Sequence, residues 1–451
     1  MTFFSFPDMI GTRKKDFPSR IGGASIGTRK LVGQTQRDVR INNLHAVLTL
    51  FRENDALSIR DITERTGLSK TAVSKILSQL MDQGLIESLG KDDSVSSRGK
   101  RPDLFCFSSP NRYVISCVLT STLISAQLYG PSLKELYGQT RHIKKEALLS
   151  YQDAVSLLAH LILHLIDFTH LSYGDIIGIA ISTVGVVSPD TGTIVSPLVN
   201  HHWGNHLPLA QNLAQLLPFS CDIIIDNIIR FSTYRILDQD AGKRQKNLVI
   251  LYCDNSVGGT YVRNGHIVHG KHGYVGEFGH ITTDYTFKEP CSCGKYGCFE
   301  SIVASEKIQA RISREIDNWP ESILNRCKDK SAVPIHYLFQ AADEGDTFSR
   351  LTVDLIAKQF AVMVYNFQIL YDPDEILIYA YQVKSMGYFR RAFYEKLTPF
   401  LGDEHLEISL HPVGCGMAYL NDACAGAAAY CFNQYFAGRG LQKIEPMHNY
   451  S

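Results

Sequence analysis

Residues 276–300 have the sequence GEFGHITTDYTFKEPCSCGKYGCFE, and this stretch decides the fold of the chain. His280 lies upstream of three thiols that fall within eight residues: Cys291, Cys293 and Cys298. Three thiolates and one imidazole complete the tetrahedral shell of a Zn²⁺ ion, and a closed shell of four protein ligands is structural rather than catalytic. Glycines between the thiols let the backbone turn and bring the third sulfur round. The alternative is a loop of ordinary reduced cysteines, but the spacing favours zinc.

The pattern G-E-x-G-H followed by C-x-C-G-x-x-G-C-x-E resembles the zinc motif of the ROK family, a group of repressors, open reading frames and kinases. The resemblance extends from about Thr35 to Ala429. It implies an α/β fold in which an N-terminal winged helix-turn-helix precedes a two-lobed, actin-like (ribonuclease H-like) sugar-kinase body. In such a body the sugar lies between the lobes and ATP lies beside it.

The composition is that of an ordinary globular protein, with 451 residues, 45% of them hydrophobic and 20% charged. This length predicts two or three domains. The formal net charge is zero, so any contact with nucleic acid must come from a local patch. The cysteines outside the zinc motif follow no disulfide spacing, which predicts a reducing, cytoplasmic location. No apolar run approaches the roughly 18 residues of a membrane helix, which predicts no membrane insertion.

Residues 35–107 predict a winged helix-turn-helix domain. A first helix is indicated by apolar residues at helical spacing: Leu44, Val47, Leu48 and Phe51. Ser58 begins a second helix with Asp61 as its acidic capping partner, and Gly67 ends it. Ser69 begins the third. Two short helices joined by a glycine-containing turn are typical of a helix-turn-helix, whose second helix enters the major groove of DNA.

The outward face of the third helix carries hydroxyls and cations, which hydrogen-bond phosphates and base edges: Ser69, Lys70, Thr71, Ser74 and Lys75. An ordinary solvent-exposed face would have the same composition. The continuation favours DNA, because two predicted strands flank a wing with cations at or just beyond its tip: Arg98, Lys100 and Arg101. The run Arg-Gly-Lys-Arg-Pro also resembles the wing of ROK repressors. The domain is not basic overall, so we expect modest affinity per subunit and a homodimer, or a dimer of dimers, on a palindromic operator.

From Tyr113 the chain alternates apolar strands with amphipathic helices, which predicts an α/β body with a mostly parallel sheet. Strands are predicted at 114–118, 176–182, 223–225, 248–252 and 375–378. We therefore expect a flexible basic tail over 1–34 and the DNA-binding domain over 35–107. The resemblance then places a first lobe at 112–226 plus 427–446 and a second lobe at 227–426, which contains the zinc loop 276–300.

The nucleotide side of the family's site is largely lost. The family's D-x-G-G-T phosphate loop is replaced by VLTST at 118–122, and its E/D-N-D run by Asp226-Asn227-Ile228, so that in this register isoleucine stands where a kinase has its base. A register shifted by one residue would place Asn227 there, which is equally inert as a base, and only a two-residue shift, which breaks the strand match, would restore Asp226. A second phosphate loop, G-T-G-V-G-G, is half kept as DNSVGG at 254–259, and a third glycine run has become Tyr-Ala-Tyr at 379–381. Because phosphoryl transfer depends on positioned phosphates and metal, we predict that the chain is not an enzyme.

The sugar side is kept better. Four residues match the positions that hold sugar hydroxyls in the family: Asn200, Asn227, Glu277 and Glu300. His280 is assigned first to zinc. Amides and carboxylates offer paired donors and acceptors that suit vicinal hydroxyls. The alternative is that these side chains retain only structural hydrogen bonds.

These observations predict a DNA-binding transcriptional regulator, a repressor of genes for sugar uptake or catabolism. Its inducer would be a sugar, a sugar phosphate or a protein, since the resemblance points to N-acetylglucosamine-, glucose- and xylose-responsive repressors and to one member that answers to a transporter protein. The first alternative is an ATP-dependent ROK sugar kinase with an added DNA-binding domain. The second is a DNA-binding protein whose body only dimerises.

Overall fold

The computed structural model describes residues 36–91, 102–108, 112–144, 149–197, 201–330, 333–380, 387–401, 406–411 and 417–436. Several predictions concern residues outside these ranges: the tail 1–34, the end of the first lobe beyond 436, the candidate sugar ligand Asn200, and the wing cations Arg98, Lys100 and Arg101.

The N-terminal domain is the predicted winged helix-turn-helix. Its elements are α1 (Gln36–Glu53), β1 (Leu57–Ser58), α2 (Ile59–Thr66), α3 (Lys70–Asp82), β2 (Ile86–Lys91) and β3 (Asp103–Phe107). The three strands form one antiparallel sheet in the order β1-β3-β2.

The capping signals act as predicted. Ser58 and Asp61 form a reciprocal capping box at the start of α2, and Gly67 ends that helix in the left-handed conformation, with a φ of 69°. The Ser69 hydroxyl accepts a hydrogen bond from the amide of Ala72 at the start of α3. The apolar residues at the predicted helical spacing are buried: Leu44, Val47, Leu48 and Phe51 in α1, and Val73, Ile76, Leu77 and Leu80 in α3. These local signals therefore fix the angle at which α3 is presented.

The body begins with a five-stranded sheet, here called the first sheet, in the order β10-β7-β4-β5-β6. Its region contains β4 (Tyr113–Leu119), β5 (Leu123–Tyr129), β6 (Glu135–His142), α4 (Tyr151–Phe168), β7 (Ile176–Thr183), β8 (Val186–Ser188), β9 (Thr193–Ser196), α5 (Leu209–Leu216), β10 (Asp222–Asn227) and α6 (Ile228–Gln239).

A second five-stranded sheet, the second sheet, has the order β13-β12-β11-β14-β15. Its region contains β11 (Leu248–Cys253), β12 (Val257–Arg263), β13 (His266–Ile267), α7 (Phe299–Val303), α8 (Ser305–Glu315), α9 (Ile335–Glu344), α10 (Thr347–Tyr371), β14 (Glu375–Ala380), α11 (Gly387–Leu401) and β15 (Glu407–His411). The last described helix, α12 (Met417–Phe436), returns to pack on α6 and on β4 and β7 of the first sheet.

The five predicted body strands are present, but the sheets are mixed rather than mostly parallel. In the first sheet β10, β7 and β4 run parallel, while β4, β5 and β6 form an antiparallel meander. In the second sheet β11, β14 and β15 are parallel, and β12 and β13 are antiparallel. The reason is the length of the connections, because strands joined by a few residues can pair only antiparallel and parallel pairs need a long crossover.

Candidate functional site

A cavity of about 60 Å³ lies where the ends of β7 and β10 meet β12 and the loop before the zinc motif. Its walls combine backbone glycines, apolar side chains and a few polar groups, among them Gly185, Asn227, Arg230, Gly258, Glu277 and His280. Convergent polar groups of this kind give a small polar ligand the hydrogen-bond partners that fix its orientation. The cavity thus brings together two of the four predicted sugar residues, Asn227 and Glu277.

Asn227 caps α6 and also lines the cavity. Its Oδ1 accepts a hydrogen bond from the amide of Ile229 at 2.9 Å, and its Nδ2 donates to the carbonyl oxygen of Gly185 at 2.9 Å. One amide hydrogen and one lone pair stay available beyond these bonds, since a primary amide has two donors and two acceptor sites. The side chain is therefore held in a fixed orientation at the wall of the cavity.

Glu277 also lines the cavity, half-buried at the start of a short 3₁₀ helix, Phe278–His280. Burial raises the pKa of its carboxyl group, with Glu300 adding to the rise, while His280 and Arg230 act in the opposite direction. A partly desolvated carboxyl facing an enclosed space is a strong acceptor for the hydroxyl groups of a ligand.

Glu300, predicted as a further sugar residue, does not line this cavity. It is buried, and its Oε2 accepts a hydrogen bond from the amide of Val257 at 2.9 Å. Its Oε1 accepts from the hydroxyl of Ser292 at 2.7 Å. In this arrangement Glu300 ties the zinc motif to the start of β12, which corresponds to the structural alternative described above.

Asp226 is buried beside the cavity with both carboxylate oxygens engaged. Arg230 Nη1 lies 2.8 Å from Oδ1, and His269 Nε2 lies 2.8 Å from Oδ2. Burial alone would raise the pKa of Asp226, but the hydrogen bond from His269 and the charge of Arg230 outweigh it and hold that pKa below its ordinary value. A carboxylate held in this way is a poor general base.

The first phosphate-loop position is closed by its own side chain. Between β4 and β5 the Thr120 hydroxyl accepts hydrogen bonds from the amides of Thr122 and Leu123, at 3.3 and 2.9 Å. Backbone amides cradle a phosphate only when they are free to point at it. At this turn two amides are instead satisfied within the loop.

The second phosphate-loop position is covered by an apolar side chain. The Cδ1 atom of Ile229 lies so close to Gly258 that a Cβ on this glycine would be 2.5 Å away from it. At the third position Tyr379 stacks between Tyr252 and His411, with ring centroids 4.8 and 4.7 Å apart. Side chains therefore fill space at two positions where the family resemblance places phosphate and nucleotide contacts.

The predicted metal ligands converge. One donor atom from each of His280, Cys291, Cys293 and Cys298 can be chosen such that all four lie within 4.8 Å of one another. The Nδ1 atom of His280 is 3.5 Å from the Cys291 sulfur, and the sulfurs of Cys293 and Cys298 are 3.7 Å apart. Tetrahedral Zn²⁺ with ordinary bond lengths requires about 3.6 Å between N and S and about 3.8 Å between two sulfurs. The donor set and its spacing therefore fit zinc.

The backbone of the metal loop is shaped by Gly297. Its φ is 72°, and a Cβ there would lie 2.2 Å from the carbonyl oxygen of Asp284, so only glycine fits. The Nδ1 atom of His280 lies beside the Cys291 thiol, and the same residue also lines the cavity. The cluster thus braces one wall of the cavity.

The DNA-binding candidates of the third helix share one exposed face. All five are exposed in the structure: Ser69, Lys70, Thr71, Ser74 and Lys75. The opposite face of α3 is buried through Val73, Ile76, Leu77 and Leu80. The helix therefore presents a polar surface with two cations, of a kind that enters a major groove.

The sequence did not predict three interactions. They are the ion pair Asp226–Arg230, the hydrogen bond from the Ser292 hydroxyl, and an ion pair between Arg52 of α1 and Asp238 near the end of α6. The first has a signal in the sequence, because positions i and i+4 of a helix start are neighbours. Ser292 and Arg52 have none, since their partners are fixed by tertiary packing. As to membranes, no described helix combines the length and apolar character needed to cross a bilayer.

Comparison with known proteins places the geometry in context. Residues 135–407 match the ROK family and residues 45–93 match the MarR family. The chain is 35% identical to a glucokinase of Halalkalibacterium halodurans over 211 residues, a match that spans 46% of this chain and 62% of the glucokinase. It is 25% identical to the N-acetylglucosamine repressor of Escherichia coli O6:H1 over 363 residues, spanning 79% of this chain and 83% of the repressor.

Among solved structures, a ROK family transcriptional regulator described as a homolog of the E. coli MLC protein shares the fold. It superimposes with a TM-score of 0.68 at 18% sequence identity, covering 89% of this chain and 99% of the other. The glucokinase match takes in less than half of this chain, whereas the two regulator matches span most of it.

Proposed function

Because the chain belongs to the ROK family and joins that family's body to a MarR-like helix-turn-helix, we propose that it is a transcriptional repressor of genes for sugar uptake or catabolism. The observation that carries the proposal is the exposed polar face of α3 on a DNA-binding fold that is attached to a body with a small polar cavity. The family contains kinases as well as repressors, so the cavity alone does not distinguish the two. The DNA-binding domain and the cavity together favour a repressor.

On DNA, α3 would lie in the major groove, where Lys70 and Lys75 neutralise phosphates and the three hydroxyl residues reach phosphates or base edges. The wing cations predicted from the sequence, Arg98, Lys100 and Arg101, would contact the backbone or the minor groove. A homodimer with two-fold symmetry, or a dimer of dimers, would place two such helices on a palindromic operator.

In the cavity, Asn227 and Glu277 would hold the hydroxyls of a sugar or a sugar phosphate. The name of the N-acetylglucosamine repressor suggests N-acetylglucosamine as the first sugar to test, with glucose next. Asn200 stays a predicted ligand. Glu300 would bind a sugar hydroxyl through Oε1 only after its hydrogen bond with Ser292 breaks. A protein inducer remains an alternative. Whatever the inducer, it must bind the two states with different affinity, since equal affinity would shift nothing.

The body would bind without catalysis. Ile228 stands at the position of the base, Asp226 is held by Arg230 and His269, and the amides of the first phosphate loop are satisfied by Thr120. Zinc at the four-residue cluster would be structural, because all its ligands come from the chain and no coordination position is left for a substrate.

A single preparation tests this proposal against the kinase alternative, which the identity to a glucokinase favours. Duplexes are selected from random DNA with the purified protein, and the same sample is assayed with MgATP and a panel of glucose, xylose and N-acetylglucosamine. We expect one selected sequence and no phosphate transfer above the blank. Turnover at about 1–100 s⁻¹, typical of a kinase, would overturn the proposal.

A further inference from the structure

We infer that helix α6 connects the cavity to the DNA-binding domain, and that Arg52, Asp238 and Asn433 form the contact through which a change at the cavity reaches α1 and α3. We name these three residues the clasp. The inference rests on the proposed function, because it describes how the same cavity would regulate DNA binding. It is carried by contacts at the two ends and in the middle of α6.

The first end of α6 is part of the cavity wall. Asn227 caps the helix, and the first three helical residues, 228–230, all line the cavity. Arg230 also donates hydrogen bonds to the carbonyl oxygens of Gly273 and Val275, at 2.5 and 3.1 Å. These two carbonyls belong to the segment that leads into Glu277. A ligand that moves Glu277 would therefore pull on the first turn of α6.

The middle of α6 is packed backbone to backbone against α12. A Cβ on Gly426 would lie 1.9 Å from the carbonyl oxygen of Phe231 and 3.0 Å from the amide nitrogen of Arg235. Two helices in such close contact cannot slide past one another without losing their packing, because interiors are close-packed. The pair α6 and α12 therefore moves as one unit.

The far end of α6 holds the DNA-binding domain. Arg52 of α1 lies 2.7 Å from the Asp238 carboxylate, and their side chains are only 6% and 2% exposed. Asn433 of α12 bridges them, accepting from Arg52 at 3.0 Å and donating to Asp238 at 3.2 Å. Buried charges are held only where they are paired and hydrogen-bonded, so this geometry is closely specified.

Two further contacts extend the clasp to the recognition helix. The hydroxyl oxygen of Thr49 in α1 lies 3.2 Å from the carbonyl oxygen of Asp238 and 3.0 Å from that of His45, and it accepts a hydrogen bond from Arg244 at 3.3 Å. Gln79 of α3 donates to the carbonyl oxygen of Phe436 at the end of α12, at 3.3 Å. A shift of α6 and α12 is thus transmitted both to α1 and directly to the helix that faces DNA.

The separation between the cavity end and the clasp end of α6 allows coupling between them to be measured. Asn227 and Asp238 are eleven positions apart in the chain, or about 17 Å along a helix. Substitutions so far apart and without shared partners act additively within about twofold. A departure from additivity would therefore report coupling through α6 rather than a local effect.

The experiment is a double-mutant cycle with Asn227→Ala at the cavity end and Arg52→Ala at the clasp. The readout is hydrogen exchange of the α3 amides, measured by mass spectrometry on the full chain, together with affinity for the selected duplex. Asn433→Ala serves as a second clasp variant in case Arg52→Ala does not fold. Asn212→Ala, a half-buried asparagine that donates to Tyr151 in the first lobe, and Arg60→Ala, an exposed arginine on α2, are the matched controls.

We expect Asn227→Ala to change α3 exchange by about fivefold or more when the clasp is intact, and by less than about twofold when it is broken. An equal change in both backgrounds, or no change with the clasp intact, would overturn the inference. Hydrogen exchange needs no DNA. A failure to select any duplex would therefore contradict the proposed function, while the exchange rates of α3 would still show whether α6 couples the cavity to that helix.

Discussion

At the scale of single residues, the proposal of a binding body without catalysis depends on a few side chains. Ile228 has no atom that accepts a proton, and the neighbouring carboxylate of Asp226 is shared between Arg230 and His269. A base needs a free lone pair within reach of the hydroxyl that it deprotonates. Glu277, in contrast, faces the cavity with a pKa raised by burial. These contacts support the proposal that the polar groups of the cavity hold a ligand without transforming it.

The first prediction concerns the face of α3. Replacing Lys75 with Ala removes one phosphate contact, so we expect weaker binding to every duplex and a log–log salt slope that falls by about one. Fluorescence anisotropy at several salt concentrations measures both quantities. Lys358→Ala, at an exposed lysine on α10, is the control and should bind as the wild type does. An unchanged slope in the Lys75 variant would remove this residue from the DNA interface.

The second prediction concerns the cavity. Glu277→Ala deletes the half-buried carboxyl that faces the ligand space, so we expect DNA binding to persist and the response to sugar to be lost. Removing a charged hydrogen-bond acceptor from a ligand typically costs about 1.5–3 kcal/mol, or roughly 10- to 150-fold in affinity. Duplex release titrated with N-acetylglucosamine or glucose measures the effect, and Glu321→Ala, at an exposed carboxylate, is the control. A fully sugar-responsive Glu277 variant would show that the inducer binds elsewhere.

At the scale of elements, the metal loop supports the cavity rather than reacting in it. Glu300 links Ser292 in the loop to the amide of Val257, and His280 belongs both to the cluster and to the cavity wall. Burial and the neighbouring thiols of Cys291 and Cys293 raise the pKa of the Cys298 thiol. A cation would compensate the charge of the thiolates and hold the loop closed.

The third prediction follows from that arrangement. Cys293→Ser should lower the bound zinc, which we expect near one ion per chain in the wild type, and should lower the Tm. For a unit of 150–250 residues, each kcal/mol lost shifts the Tm by about 2–4 °C. Elemental analysis and thermal unfolding provide the two readouts, and Cys327→Ser, a thiol outside the cluster, is the control. Equal metal content in the Cys293 variant and the wild type would refute the assignment.

The fourth prediction concerns the contact between α6 and α12. A methyl group at position 426 has no room beside the backbone of Phe231, so Gly426→Ala should destabilise the protein by about 1–3 kcal/mol, as overpacking usually does. Gly174→Ala is the matched control, since its Cβ would meet nothing closer than 4.0 Å. Urea unfolding compares the two variants. Equal stability of both would mean that the helices can separate without loss.

Helices, strands and loops differ in how well the sequence predicts them. Local chemistry predicted the caps at Ser58 and Ser69, the five body strands and the convergence of the four candidate metal ligands, because each depends on neighbours in the chain. The prediction of a mostly parallel sheet was wrong: the five predicted strands pair in parallel, but β5, β6, β12 and β13, which the sequence analysis did not predict, add antiparallel pairs through short connections. The Glu300–Ser292 bond and the clasp were not anticipated, because Arg52 and Asp238 are 186 positions apart and meet only through packing.

At the scale of the whole molecule, the DNA-binding domain and the body share a core. Buried residues of α1 and α3 and the aromatic residues Phe432 and Phe436 of α12 belong to one continuous hydrophobic cluster. A DNA-binding domain attached by a flexible linker would move independently of the body. Here the shared core and the clasp predict that the orientation of α3 depends on the body. The comparisons confirm the predicted fold, a winged helix-turn-helix followed by the ROK body.

The most direct test of this account is a single titration. The duplex selected with the wild-type protein is labelled and its anisotropy is measured while N-acetylglucosamine, glucose or xylose is added with MgATP present. We expect specific binding with a Kd of about 10⁻⁸ M or tighter, reversed by one of the sugars, with no consumption of ATP. Binding no tighter than the roughly 10⁻⁴–10⁻⁶ M of non-specific contacts, or steady hydrolysis of ATP as the sugar is added, would contradict the account.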